Sequence, residues 1–310
     1  MVGVSQDLSQ IIKAYDVRGV VPDQFDDAVA RAVGAAFARV VVVPEWADVS
    51  GDEVVETHRP AIVIGHDMRE SGPGLVAAFA DGVTSAGVDV TLIGLCSTDG
   101  LYHASGSLHR PGAMFTASHN PAEYNGIKMC RAGARPVGLD SGLATVRELA
   151  QQYLDDGLPE PAPTPGTTDE RDLLADYSAF LRGLVDISRI RPLKVVVDAG
   201  NGMGGYTAPA VLGTAAGLPE LPLDVVPLYW ELDGSFPNHE ANPSSPRTCA
   251  TSRPPSSSTT PTSASRSTGT PTAASSSTST ATPSRRPPSR PSWACARSRR
   301  RRQPAASTRP

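Results

Sequence analysis

The chain has 310 residues and a formal charge of −4, a mild balance that conceals two unlike parts. Residues 244–310 hold twelve Arg, no Lys and no Asp or Glu, so they carry +12 and the preceding residues carry the −16 that brings the whole to −4. The same stretch contains no Leu, Ile, Val, Phe, Met or Tyr; this excludes a packed core there and predicts disorder, because too little apolar burial offsets the chain entropy.

The start, MVGVSQDLSQIIKAYD, lacks the basic and apolar regions of a signal peptide. No apolar run reaches the roughly 18 residues of a membrane span. Cys96 and Cys130, the two Cys before residue 244, have neither disulfide nor zinc spacing. These features together lead us to expect a cytoplasmic protein.

KAYDVRG (Lys13 to Gly19) reads by itself as an exposed turn, although its Arg18 could meet a phosphate. DDAVARAVGAAFARVV (Asp26 to Val41) has an acidic start and apolar residues at helical spacing, and predicts a helix. AIVIGHD is a short β-branched run that predicts a buried strand. In the GHDMRESG that overlaps it, Arg69 could stand near a helix N-terminus, but it reads rather as part of a solvated loop. SGPGLVAAFADGVTSAG predicts a helix, VDVTLIG a strand, and GAMFTAS a strand running into a polar loop. LDSGLATVRELAQQYLDDG is a second amphipathic helix. This alternation predicts an α/β fold over residues 1–155, a mixed and mostly parallel sheet sandwiched by helices.

LPEPAPTPGTTDE reads as a linker, and RDLLADYSAFLRGLVD opens a second α/β unit over 156–243. LKVVVDAGNGMGG supplies a strand and a glycine-rich turn. That turn could face an anion, but it lacks the P-loop Lys-Ser/Thr and dinucleotide spacing, and reads as structural. LDVVPLYWELDG adds one more strand. Two strands and two helices are too few to close a core, so the unit looks unfinished, with apolar edges prone to aggregation or proteolysis. Residues 244–310 form the predicted disordered tail.

The most chemically loaded stretch is TASHNPAEYNGIK, Thr116 to Lys128. In parallel α/β sheets ligands gather at the carboxyl ends of strands, where Ser118 would lie. A serine hydroxyl is a weak nucleophile and needs a base or an attached group; His119 and Lys128 are close in sequence. A phosphorylated Ser118 would bring about −1.5 to −2 charges and call for cations, for which Lys128 and Arg18 are candidates. Taken alone, Ser-His-Asn-Pro also reads as a plain turn.

Four segments taken together say more. KAYDVRG, TASHNPAEYNGIKMCRAGARPVG, VVVDAGNGMGG and ELDGSFPNHEANP occur in this order. Across residues 8–243 the chain resembles the phosphomannomutase/phosphoglucomutase branch of the α-D-phosphohexomutases. The resemblance implies that Ser118 carries a phosphoryl group and passes it to a hexose phosphate. A hexose 1,6-bisphosphate intermediate then turns over and rephosphorylates the serine, so that hexose 6-phosphate and hexose 1-phosphate interconvert. It implies that His119 and Lys128 assist proton transfer and that Arg18 sits near the transferring phosphoryl. It also implies Mg2+ on the phosphate of Ser118, since a hard cation prefers oxygen ligands, and hexose 1,6-bisphosphate as activator.

The family's Asp-Gly-Asp-X-Asp-Arg metal loop, its Glu-containing sugar loop and its phosphate clamp are absent from this sequence, which predicts an inactive chain as written. Regrouping the codons of the tail by one base permits Leu-Glu-Pro-Glu-Asn-Leu-Arg-Asp-Leu-Gln-Ala-Ala-Val-Val-Glu-His-His, then Ala-Asp-Ile-Gly-Leu-Ala-Phe, then Asp-Gly-Asp-Ala-Asp-Arg-Cys-Phe. We therefore expect a frameshift after Pro243 through loss of one C. Two other readings stand beside the mutase of mannose or glucose phosphates. One is a phosphoglucosamine mutase. The other is a non-catalytic protein whose Arg299 to Arg302 run contacts anions, although the tail lacks the aromatic interleaving of a base-stacking platform. We expect a hexose phosphate as partner, with no specific nucleic acid and no membrane.

Overall fold

Asp26 begins the first long helix by accepting a hydrogen bond from the Val29 amide at 2.9 Å, a side-chain cap that satisfies one orphan N–H of the first turn. The computed structural model describes residues 7–50, 59–242 and 263–266, all within one compact unit. The larger sheet contains β1 (Ile12–Lys13), β2 (Asp16–Val20), β3 (Ala61–His66), β4 (Asp89–Leu95), β5 (Gly112–Phe115), β6 (Tyr124–Arg131), β7 (Arg135–Pro136) and β8 (Thr168–Glu170). Its order is β1-β2-β6-β5-β3-β4-β8, with β7 on β6. β5, β3, β4 and β8 run parallel to one another, whereas β1, β2 and β6 form an antiparallel flank.

The period of two along each strand sorts side chains between two cores. Ile62, Ile64, Ala113 and Phe115 enter one cluster, and the intervening Val63 and Met114 enter the other. The first cluster is covered by α1 (Asp27–Phe37), α3 (Gly72–Ser85) and α5 (Leu143–Asp156), with α2 (Val43–Ser50) following α1. The second takes Leu101 and Ala104 from α4 (Thr98–Ser107). Phe79 meets Phe115 edge-on with centroids 5.4 Å apart and Phe37 at 6.4 Å, which centres the first core on α1, α3 and β5. Two glycines let α1 and α3 cross closely. A Cβ on Gly34 would lie 2.3 Å from Phe79 O, and one on Gly82 would lie 2.1 Å from Arg31 O.

The second sheet holds β9 (Leu193–Asp198) between β10 (Leu223–Leu228) and β11 (Ser263–Arg266), all parallel, with α6 (Leu174–Leu184) and α7 (Gly204–Val211) beside them in sequence. Among the described residues, no helix is long and apolar enough to cross a membrane.

Three expectations change. The Asp26–Val41 helix is not continuous: α1 ends at Phe37 and a π-helical turn, Ala38–Val42, leads into α2. The segment expected as a linker supplies β8, which pairs in parallel with β4, so the larger sheet extends past residue 155. There the backbone satisfies its own polar groups at the sheet edge, and strand formation needs no apolar side chain, since all three β8 residues are exposed. The tail expected to be disordered contributes β11, again by backbone pairing, here with Val195–Asp198. The rest of that tail, including the Arg299 to Arg302 run, lies outside the described residues.

Candidate active site

Arg18 lies on β2 and Lys128 on β6, adjacent antiparallel strands whose register sets Arg18 opposite Gly126. On a strand, residues two apart share a face. Asp16 therefore stands beside Arg18, and its Oδ2 accepts from Arg18 Nη2 at 2.6 Å. The same oxygen is 3.5 Å from Lys128 Nζ. Arg18 also donates through Nη1 to Asn120 Oδ1 at 2.8 Å, which ties the cation pair to the turn that bears Ser118. KAYDVRG is thus not the exposed turn it resembles in isolation. From Asp16 on it lies in β2, because β6 supplies the partner backbone that the isolated segment lacks.

Ser118 and His119 follow β5 at its carboxyl end. Ser118 adopts φ +56°, a left-handed conformation that costs a non-glycine residue about 1–3 kcal/mol unless its surroundings hold it. Several bonds do so. Thr116 Oγ1 accepts from Ser118 N at 3.0 Å and donates to Asp67 Oδ2 at 2.7 Å, while Asn120 N donates to Ala117 O at 3.0 Å. Ser118 Oγ is 3.4 Å from His119 Nδ1, and His119 is exposed.

Beneath the turn lies Arg69. Read in sequence as part of a solvated loop, it is 2% exposed. The difference has a clear cause: the turn presents a group of carbonyls that need donors, and Arg69 supplies them. Its Nε faces Asp67 Oδ2 at 3.4 Å. Burial pushes the Asp67 carboxyl above its ordinary range, opposed by Arg69 and the Thr116 hydrogen bond, and burial lowers the Arg69 guanidinium, opposed by Asp67.

The structure therefore brings Arg18, Lys128, Ser118 and His119 to one end of the larger sheet, with Asp16, Asn120, Thr116, Asp67 and Arg69 as supports. Of these supports, Asp16 carried a sequence signal, the spacing of two from Arg18. The others sit beside residues of known interest but show their bonds only in the fold. The glycine-rich turn after β9 is occupied structurally: Asp198 Oδ1 accepts from Gly200 N at 2.9 Å and lies 3.0 Å from His239 Nε2. A cleft of about 540 Å³ beside the site is lined by Glu70, Glu123 and Asp233, and these carboxylates disfavour an anionic sugar phosphate there.

Among the described residues, no group of three His, Cys, Asp or Glu side chains is placed to hold a metal ion. Asp16 is already engaged by two cations and Asp67 is buried against Arg69. Among the described residues, a magnesium ion on phosphorylated Ser118 would find phosphate oxygens but not the carboxylates that complete a hard-cation site.

Residues 9–153 match the family model described as phosphoglucomutase/phosphomannomutase, alpha/beta/alpha domain I, and residues 175–256 match that for alpha/beta/alpha domain II. The chain is 36% identical over 232 residues to a protein named phosphohexose mutases from Xanthomonas campestris pv. campestris, an alignment covering 74% of this chain and 46% of that one. It is 34% identical over 240 residues to the phosphomannomutase/phosphoglucomutase of Pseudomonas aeruginosa, covering 77% of this chain and 45% of the other. The crystal structure of a phosphoglucomutase/phosphomannomutase family protein from Burkholderia thailandensis superposes with a TM-score of 0.60 at 34% identity, covering 79% of this chain and 48% of that one. The chain spans about half the length of the curated relatives it matches.

Proposed function

The chain belongs to the phosphoglucomutase/phosphomannomutase family, and from that premise we propose that Ser118 is the phosphoryl carrier of a mutase interconverting hexose 6-phosphate and hexose 1-phosphate. The sugar is mannose, glucose or both, and hexose 1,6-bisphosphate is the intermediate. One observation carries this reading: Arg18 and Lys128 converge on a single oxygen of Asp16 and are tied through Asn120 to the turn that holds Ser118 at positive φ.

Phosphoryl transfer rests on positioning and on neutralising the equatorial oxygens, with little covalent work for the protein. When a hexose 1,6-bisphosphate presents a phosphate, the Ser118 Oγ–P bond forms as the P–O bond to the sugar breaks. The serine proton leaves to a neighbouring base, and the sugar oxygen takes up a proton. His119, with Nδ1 3.4 Å from Oγ, and Lys128 are the proton-transfer groups. Arg18 faces the phosphoryl oxygens.

The same reading makes the chain as written unable to sustain turnover. Residues 244–310 have no Asp or Glu to offer a metal. We attribute that stretch to a frameshift after Pro243. The position of β11 supports this: the regrouped Ile-Gly-Leu-Ala falls on residues 263–266, where Ser-Ala-Ser-Arg pairs with β9. An apolar strand suits that place beside β9, whereas Ser-Ala-Ser-Arg has no side chain of high strand preference.

The test is incubation of the full chain with glucose 1,6-bisphosphate, followed by peptide mapping for phosphoserine. The expected result is one phosphoryl group on Ser118 without continuing conversion of hexose phosphate. Phosphorylation elsewhere with Ser118 unmodified would contradict the proposal.

A further inference from the structure

Four carbonyls of the serine turn are held by one side chain. Arg69 Nη1 donates to Pro121 O at 2.7 Å and to Tyr124 O at 2.9 Å, and Nη2 donates to Asn120 O at 2.7 Å and Ser118 O at 3.2 Å. A guanidinium has five N–H donors in a fixed plane, whereas a lysine ammonium has three on one atom. The four acceptors belong to residues spread over Ser118–Tyr124, so the spread of an arginine suits them and a single nitrogen does not.

Arg69 is itself held on two sides. Asp67 accepts from the Arg69 backbone at 3.0 Å and faces its Nε, while also accepting from Thr116. On another side lies the turn after β10, from the second α/β unit. The Phe236 ring centroid is 5.3 Å from Arg69 Cζ, within cation–π range. A Cβ on Gly234 would stand 3.0 Å from Arg69 Cα. That turn is internally fixed, because Asp233 Oδ1 accepts from Ser235 N at 2.8 Å and Ser235 Oγ at 2.6 Å. It is also anchored to the glycine-rich turn through Asp233 N to Asn201 O at 3.0 Å.

The geometry points to Arg69 as a positioning residue for Ser118, clamped from the second unit by Phe236, so that docking of the 233–236 turn sets the geometry of the serine turn. This rests on the reading of Ser118 as phosphoryl carrier. Arg69 touches no reacting atom in this scheme; it acts through the backbone of residues 118–124. Phe236 acts one step further away, by stacking on the guanidinium and holding it in place.

The experiment uses the full chain with Phe236→Ala, Phe236→Tyr and Arg69→Lys. Two readouts are taken: hydrogen exchange at the Asn120 and Tyr124 amides, and phosphoserine formed at Ser118 over a fixed incubation with glucose 1,6-bisphosphate. Phe236→Ala is expected to speed exchange at both amides and lower phosphoserine, each by about tenfold, equivalent to ~1.4 kcal/mol. Exchange in β3 and β4 stays unchanged. Phe236→Tyr, which keeps the ring, restores both readouts; Arg69→Lys exceeds Phe236→Ala in both.

If Arg69→Lys does not fold, the two Phe236 variants decide alone. Wild-type phosphoserine with no response to Phe236→Ala would overturn the inference, as would faster exchange with phosphoserine unchanged. A wild-type chain that takes no phosphoryl, yet shows the expected exchange pattern, would overturn the function of Ser118 and with it the catalytic purpose of the clamp. The two failures are therefore distinct.

Discussion

Asp16 places one carboxylate oxygen 2.6 Å from Arg18 Nη2, and Lys128 Nζ approaches that oxygen to 3.5 Å. Two cations brought together on adjacent strands repel each other in the absence of a bound anion, and Asp16 offsets that repulsion while Arg18 reaches the serine turn through Asn120. Lys128→Ala is expected to lower the rate of Ser118 phosphorylation by about 10²-fold, the low end for loss of a proton-transfer group. Asp16→Asn, which keeps both cations but frees them, is expected to lower it by about tenfold. Rates measured by phosphopeptide quantitation should follow that order. A larger loss in Asp16→Asn than in Lys128→Ala would show that the carboxylate itself takes the proton.

Thr116 passes order from the core to the serine. Its hydroxyl donates to buried Asp67 and accepts from the Ser118 amide. Thr116→Val keeps the shape and removes both bonds, which should cost about 1–3 kcal/mol in unfolding free energy, because a buried carboxylate loses a donor. Thr116→Ser keeps the hydroxyl and should restore most of it. Urea unfolding of the three proteins measures the difference, and a loss in Thr116→Ser with Thr116→Val near wild type would assign the effect to the methyl group instead of the hydroxyl.

Gly82 and Gly106 make a contrasting pair. Gly82 sits where α3 meets Arg31 O of α1, whereas a Cβ on Gly106 in α4 meets nothing within 4 Å. Gly82→Ala is expected to destabilise by about 1–3 kcal/mol through overpacking. Gly106→Ala should stabilise by about 0.4–1 kcal/mol through the unfolded chain. Opposite shifts of the denaturation midpoint are the check.

His103 gives the contact between α4 and α6 a pH dependence. Its ring lies 4.8 Å from Phe180 and 5.7 Å from Tyr177. Burial lowers its pKa below the ordinary 6.5, with Asp176 pulling the other way. The unfolded chain therefore binds the proton more readily, so this contribution is present above about 6.5 and is lost as pH falls through it. The melting temperature should decline between pH 7.5 and 5.5 more steeply in the wild type than in His103→Phe. Parallel slopes would remove His103 from the account.

Much of this arrangement was legible in the residues. The short apolar runs AIVIGHD and GAMFTAS became β3 and β5, and the helical spacing in SGPGLVAAFADGVTSAG became α3. Local patterns report elements whose burial is set by their own side chains. They failed where a partner decided the outcome. β8 is entirely exposed and exists because β4 has an open edge. Arg69 sits in a polar loop sequence, and its burial follows from carbonyls some fifty positions away. The four proposed chemical residues lie in recognisable segments; of their supports, Asp16 stands two residues from Arg18 on one strand, whereas the others bond across the fold and leave no spacing in the chain.

The proposed frameshift after Pro243 is tested at the gene. Sequencing the codons for Asn242 to Ser245 from fresh genomic DNA should recover one additional C, restoring the Asp-Gly-Asp loop downstream. An intact frame encoding the Arg-rich stretch as it stands would contradict that origin and leave the chain a genuine variant of the family.

The most direct test of the account is the phosphorylation state of Ser118. The full chain and Ser118→Ala are incubated with glucose 1,6-bisphosphate, and intact mass and peptide maps are recorded over time. The account predicts one phosphoryl group on the wild type, located at Ser118, and none on Ser118→Ala. An unmodified wild type, or equal modification of both proteins, would contradict it.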